Sequence, residues 1–264
     1  MSQTTPTLDP AIGTFHHSGS DSEAGGCSCP IHRNRSREPF TAPLGLAFAD
    51  HVHVEPIPQQ TAADIYAAHH SYMDGCPTVN LVHHGLYYQD ELLGAITYRF
   101  PLLSKKAVRF DTDSELIPEP IDYDDLPGPI RGTARRVLPS IETGDVADRR
   151  VIAGDSFVEA ARICLGVRMA NLASAALARS QQRFVRETVP GLDADARYLM
   201  TFVRADYDGA MIRALRDKGW TCVGVSPPSQ ASNREETEIR KAWKWQFLCP
   251  IETVCEQTTI GSFG

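Results

Sequence analysis

Phe157-Val-Glu-Ala-Ala-Arg-Ile-Cys-Leu165 leads through Gly166-Val-Arg-Met-Ala170 to Asn171, where a helical pattern starts and runs to about Glu187. This stretch reads as strand, loop, helix, and it decides the fold. A helix that starts just after a strand presents open backbone N–H groups, and open α/β sheets bind anionic ligands there. Asn171 is a residue type favoured at helix N-caps. Leu172, Ala176 and Phe184 form an apolar stripe, and Arg179, Arg183 and Arg186 stand opposite it at i, i+4 and i+7, a solvated face or a phosphate-contacting one.

Downstream, Tyr198-Leu-Met-Thr-Phe-Val203 reads as a strand with Asp206 at its end, and residues 209–218 as a short helix that Gly219 stops with a left-handed C-cap. Trp220-Thr-Cys-Val-Gly-Val225 is another strand. A polar loop then joins it to Lys241-Ala-Trp-Lys-Trp-Gln-Phe-Leu248, whose alternation suits a closing antiparallel strand. Residues 251–264 read as a tail. Upstream, His51-Val-His-Val-Glu-Pro-Ile57 predicts a strand, and Thr61–His69 a helix capped by Thr61 with Asp64. After a Gly75-Cys-Pro77 turn, Asn80–Tyr88 and Leu92–Phe100 read as a hairpin, which puts His83 and His84 on opposite faces, packed or solvated. Pro118, Pro120, Pro127, Pro129 and Pro139 make residues 101–148 an irregular insertion, possible lid material beside the core.

The 264 residues are 42% hydrophobic, enough for a sizeable core. Residues 1–44 are polar and aperiodic and read as a disordered arm. The arm lacks the basic start and apolar centre of a signal peptide, and no run reaches the roughly 18–20 apolar residues of a membrane span. A cytoplasmic protein, outside any membrane, is the expectation. Seven cysteines, an odd number in a long chain, read as reduced thiols. Cys27, Cys29 and His32 lack a fourth ligand, so no metal site follows. Cys164 lies in a buried strand without an adjacent base and reads as a small hydrophobe. The net charge of −7, with five lysines against 21 arginines, gives no support for nucleic-acid binding beyond a local basic patch.

Taken in order, the elements are strand, helix, hairpin, strand, helix, strand, helix, strand, strand. That order resembles the N-acetyltransferase (GNAT) fold, and implies one α/β domain over residues 45–250 with a central mixed, mostly antiparallel sheet flanked by helices. Four segments are similar to the Mom-type family, phage-borne proteins that modify adenine in DNA. They are His69-His70-Ser71-Tyr72, Gly85-Leu-Tyr-Tyr-Gln-Asp-Glu-Leu-Leu-Gly-Ala-Ile96, Leu165–Ser180, and Val203-Arg-Ala-Asp206 with Gly219-Trp220.

That resemblance implies a virus- or provirus-encoded enzyme acting on the exocyclic amine of adenine, with the base flipped out or single-stranded. It implies an active site of a helix-end histidine, a nearby tyrosine and a strand-end aspartate, mapping to His69 or His70, Tyr72 and Asp206. Ile212 stands where it implies a further tyrosine. Histidine titrates near neutral pH and suits a base. The donor, acetyl-CoA or another acyl or aminoacyl donor, would place its phosphates at Arg168, Ala170, Asn171, Ala173 and Ser174. The glycine-rich acetyltransferase loop is missing there. DNA as partner would draw on Arg131, Arg135, Arg136, Arg149 and Arg150 with the helical stripe. Two other readings keep the fold: an N-acyltransferase on a small-molecule or protein amine, and a non-catalytic binding protein.

Overall fold

A computed structural model describes residues 51–70, 75–138, 148–167, 171–205, 210–228 and 242–260. In chain order the elements are β1 (Val52–Pro56), α1 (Gln59–His69), β2 (Asn80–Tyr88), β3 (Glu91–Arg99), β4 (Lys105–Phe110), β5 (Leu116–Ile117), α2 (Gly128–Val137) and β6 (Asp148–Ala153). There follow β7 (Phe157–Leu165), α3 (Leu172–Arg183), β8 (Tyr198–Arg204), α4 (Ala210–Asp217), β9 (Thr221–Ser226), β10 (Lys244–Pro250) and α5 (Ile251–Ile260). This is a mixed α/β protein with mostly antiparallel strands flanked by helices. The arm at 1–44, with Cys27, Cys29 and His32, lies outside the described residues, and no described helix is long and apolar enough to cross a membrane.

The described residues fall into two compact units, one within Ala24–Arg99 and Ala160–Pro190, the other within Phe100–Glu159 and Gly191–Gly264. In the first, neighbouring strands run β1-β2-β3 and then the second half of β7. Val54 pairs with Leu86 and His83 with Thr97, both antiparallel. Residues Ala62, Ile65, Tyr66 and His69 recur at helical spacing on the buried side of α1. Ala62, Ile65 and Tyr66 pack on Leu92, Ala95 and Cys164. Cys164 is a buried free thiol in β7, as its sequence setting suggests.

Gly94 shows why the hairpin needs a glycine at this point. A Cβ there would fall onto the carbonyl oxygen of Cys164 and lie 3.0 Å from Leu165 Cα. The close approach is fixed by the Gly166 N–H, which donates to Leu93 O at 2.7 Å. Gly94→Ala is therefore expected to destabilise the protein by about 1–3 kcal/mol in urea unfolding. Gly75→Ala, where an added Cβ meets nothing within 4 Å, is the control and should stay within about 0.5 kcal/mol.

In the second unit neighbouring strands run β7-β8-β10-β9, so the last strand in sequence is inserted between two earlier ones. β7 and β8 are parallel over Phe157–Glu159 and Tyr198–Met200, and the other pairs are antiparallel. A separate antiparallel sheet, β5-β4-β6, joins this unit. Val108 and Phe110 of β4 bury against Phe157, Met200, Val223 and Leu248.

Several expectations change. The 101–148 segment is not irregular but carries β4, β5 and α2, because its prolines mark element boundaries. Pro127 is the N-cap of α2, whose first turn contains proline, a position where the missing N–H costs nothing. The chain around Arg150 forms β6, which pairs with β4 rather than with the main sheet. The expected tail contains α5, anchored where the Ile251 N–H donates to Arg197 O at 2.9 Å and Val254 is fully buried. Helix α1 starts at Gln59, not at Thr61. Its N-cap is Pro58 with no side-chain cap bond, and Asp64 instead accepts from Gln60 Nε2 at 2.9 Å. The α-helical part of the 171–187 pattern ends at Arg183, after which Phe184–Thr188 widens into a π turn.

Candidate functional site

Among the described residues the candidate histidines lie in the first unit, around the β2–β3 hairpin and the two helices packed with it. Alternation along β2 sends His83 and His84 to opposite faces, and both are buried and hydrogen-bonded rather than exposed. On one face, Thr97 Oγ1 lies 2.8 Å from His83 Nδ1 and 2.6 Å from the Tyr66 hydroxyl. Cys76 Sγ approaches the same imidazole nitrogen at 3.9 Å. On the other face, Ser180 Oγ of α3 lies 2.9 Å from His84 Nδ1 and 3.0 Å from the Tyr98 hydroxyl, and the Tyr98 ring stacks on Phe184 at 4.1 Å between centroids. Each face thus carries one histidine and one tyrosine joined through a single hydroxyl.

Helix α1 ends at His69, and His70 is its C-cap, its backbone N–H donating to Tyr66 O at 2.9 Å. The His70 ring meets Tyr66 edge-on at 5.9 Å. His69 is 2% exposed, and a Cβ added to Gly166 would sit 3.0 Å from its Cδ2. The end of α1 therefore abuts Gly166, the residue that follows β7.

The donor residues are placed unevenly. Asn171 is exposed, stands at φ 62° in the left-handed region, and makes no side-chain cap bond. Asn171 does hold the N-cap position, as its residue type suggests, but in the left-handed region, which asparagine tolerates, so its side chain is not in the extended geometry from which caps reach the first N–H groups. Ala173 is buried at 6% exposure, so its methyl group faces the core and only its backbone N–H can meet a ligand; Ser174 is half-buried. The first α3 bond runs from Ala175 N to Asn171 O at 3.0 Å, so the N–H groups of Leu172, Ala173 and Ser174 have no intrahelical partner. That donor set suits a phosphate-bearing group. Arg168, Ala170, Tyr72 and Asp206 lie outside the described residues.

The arginine stripe of α3 is not a row of open cations. Arg183 Nη1 donates to Val54 O at 2.6 Å and its Nε meets Glu187 at 2.8 Å, while Arg186 pairs with the same carboxylate at 2.7 Å. In the second unit, Arg131 donates to the carbonyls of Asp124 and Leu126, and Arg149 pairs with Glu119 at 3.2 Å. Arg150 pairs with Asp148 and lies 4.7 Å over the Phe110 ring. Short-range carboxylates and carbonyls take these charges.

Burial dominates the electrostatics of the first unit. It lowers His70 from 6.5 to about 3, with the Arg162 charge acting in the same direction, and His84 to about 4, with Arg183 next. Burial also lowers His83 and raises the Tyr66 phenol and the Cys76 thiol. These groups are neutral at pH 7. Below about pH 6.5 the unfolded chain takes protons that folded His70 and His84 refuse, so stability falls as pH falls toward 4, by up to about 1.4 kcal/mol per pH unit for each group. Above pH 6.5 both states are neutral and this slope vanishes. Urea midpoints at pH 7.5 and 5.0 measure the fall, and His84→Gln should make it shallower.

Among the described residues no three His, Cys, Asp or Glu side chains are arranged to hold a metal ion. Compared with known proteins, the chain matches no family model and no curated protein. Thr97, Tyr66, Tyr98 and Ser180 were not singled out by the sequence. Thr97 was within reach, since it is the cross-strand partner of His83; Ser180, 96 residues from His84, carries no local signal.

Proposed function

We propose that this chain is an N-acyltransferase of acetyltransferase-like fold whose acceptor is the exocyclic amine of adenine in DNA. The observation that supports the reading is the seating of His69 against Gly166, at the end of β7, together with the N–H groups that begin α3 without an intrahelical partner. The strand orders β1-β2-β3-β7 and β7-β8-β10-β9, with a parallel β7–β8 pair, support the fold assignment. The resemblance of the four sequence segments supports the acceptor.

An activated acyl donor, when bound, supplies an electrophilic carbonyl carbon. The N–H groups of Leu172–Ser174 would hold its phosphates. The attacking amine forms the N–C bond as the carbonyl-to-leaving-group bond breaks, and its proton must go to a base. His70, held neutral down to about pH 3, suits a hydrogen-bond acceptor that orients the amine rather than a base that keeps a proton. In this reading His69, the other helix-end histidine, takes it. Deoxynucleosides from bacteria expressing the protein should contain a heavier deoxyadenosine by mass spectrometry.

A second reading, acylation of a small-molecule amine, is favoured by the engagement of Arg183, Arg186, Arg131, Arg149 and Arg150 within the protein. Unmodified DNA together with donor turnover on added amines would select it.

A further inference from the structure

A cavity of about 170 Å³ lies within the second unit, lined by β4, the segment after β5, β9 and β10. Its apolar wall is made by Val108, Ile117, Ile121, Val223 and Val225, and its polar end by Lys106 and Gln246. Lys106 shares a face of β4 with Val108 and Phe110, which bury against β9 and β10, and its ammonium donates to Gln246 Oε1. No carboxylate comes within 4 Å of Lys106 Nζ among the described residues. Glu119 also lines the cavity, but its carboxylate is taken by Arg149 at 3.2 Å. Arg109, a second lining cation, donates to Pro118 O at 3.3 Å. The cavity therefore has an apolar wall and a positive end that, among the described residues, is hydrogen-bonded to a neutral amide, with Glu119 held by Arg149 farther off.

We propose that this cavity binds a small monocarboxylate with a short apolar body, its carboxylate on Lys106 and the side-chain N–H of Gln246. The site is independent of the acyl-transfer reading. The volume is close to the roughly 150 Å³ of a cavity that takes up benzene, so a body of about six heavy atoms fits. A half-buried ammonium facing a neutral carbonyl gains more from an anion than from water, because the dielectric there is below that of water and strengthens the pair. Burial lowers the Lys106 pKa, with Glu119 opposing, in keeping with an incompletely compensated cation.

Butanoate is the probe, titrated into methyl-labelled full-length protein, with butan-1-ol as its uncharged counterpart. A ligand of this size binds in the millimolar range. Saturable shifts are expected at the methyl groups of Val108, Val223 and Val225, with butan-1-ol at least tenfold weaker. Lys106→Met should weaken butanoate at least tenfold. Gly224→Val keeps the ammonium and fills the space, since a Cβ there meets only Glu119 Cβ at 3.9 Å; it should abolish the shifts. Should Lys106→Met lose spectral dispersion, Gly224→Val decides alone. The proposal is overturned by the absence of saturable shifts, by equal response to butan-1-ol, by unchanged binding in a folded Lys106→Met variant, or by unchanged binding in Gly224→Val.

Discussion

His69→Asn is expected to reduce deoxyadenosine modification by about 10²–10⁴-fold, the usual contribution of a positioned acid or base. Asparagine keeps much of the volume and some hydrogen-bonding capacity at a position that is 2% exposed, so the fold should survive and a thermal melt close to that of the parent should accompany the loss. His70→Gln is the contrasting variant. The wild-type imidazole is neutral until about pH 3, so an amide that can also accept a hydrogen bond should retain activity within about tenfold. Equal losses in the two variants would mean that the histidines act as one packing unit at the end of α1, and the assignment of His69 as base would fail.

Trp245→Ala is expected to cost about 3–5 kcal/mol, the largest stability effect of any single truncation proposed for this protein. Trp245 is fully buried on β10, a central strand, where it pairs with Val203 of β8 and Val225 of β9. Its indole Nε1 is buried and has no hydrogen-bond partner among the described residues. An unsatisfied buried donor costs free energy by itself. Trp245→Phe removes that donor while leaving most of the ring, so its loss should be well below that of Ala, about 1 kcal/mol or less. Urea unfolding of both variants measures the difference. A Phe variant as damaged as the Ala variant would show that the indole shape, not the orphaned N–H, governs this position.

The hairpin was the most legible element, because Asn80–Tyr88 and Glu91–Arg99 alternate in the way a paired strand requires, and the opposite facing of His83 and His84 followed from that period. The elements of 101–148 are hidden in the sequence because proline signals a break as readily as a start, and Pro127 starts a helix. The C-terminal helix was missed because two apolar contacts, Ile251 and Val254, are too few to show a period. Within the site, the proximity of His69 to Gly166 depends on how α1 settles on the sheet, which no local pattern encodes. The pinning of Arg183 on Val54 O was equally hidden, since the two are 129 residues apart.

The insertion of β10 between β8 and β9 carries a consequence for biosynthesis. β1, β2 and β3 join neighbours in sequence and can zip together soon after they leave the ribosome. β8 and β9 each wait for Lys244–Pro250, which hydrogen-bonds to both, so a nascent chain stalled before residue 244 holds two strands that lack their common partner. Those open edges are templates for pairing with other chains. Chaperone dependence and aggregation during translation should therefore concentrate in the interval between the synthesis of β9 and the release of β10.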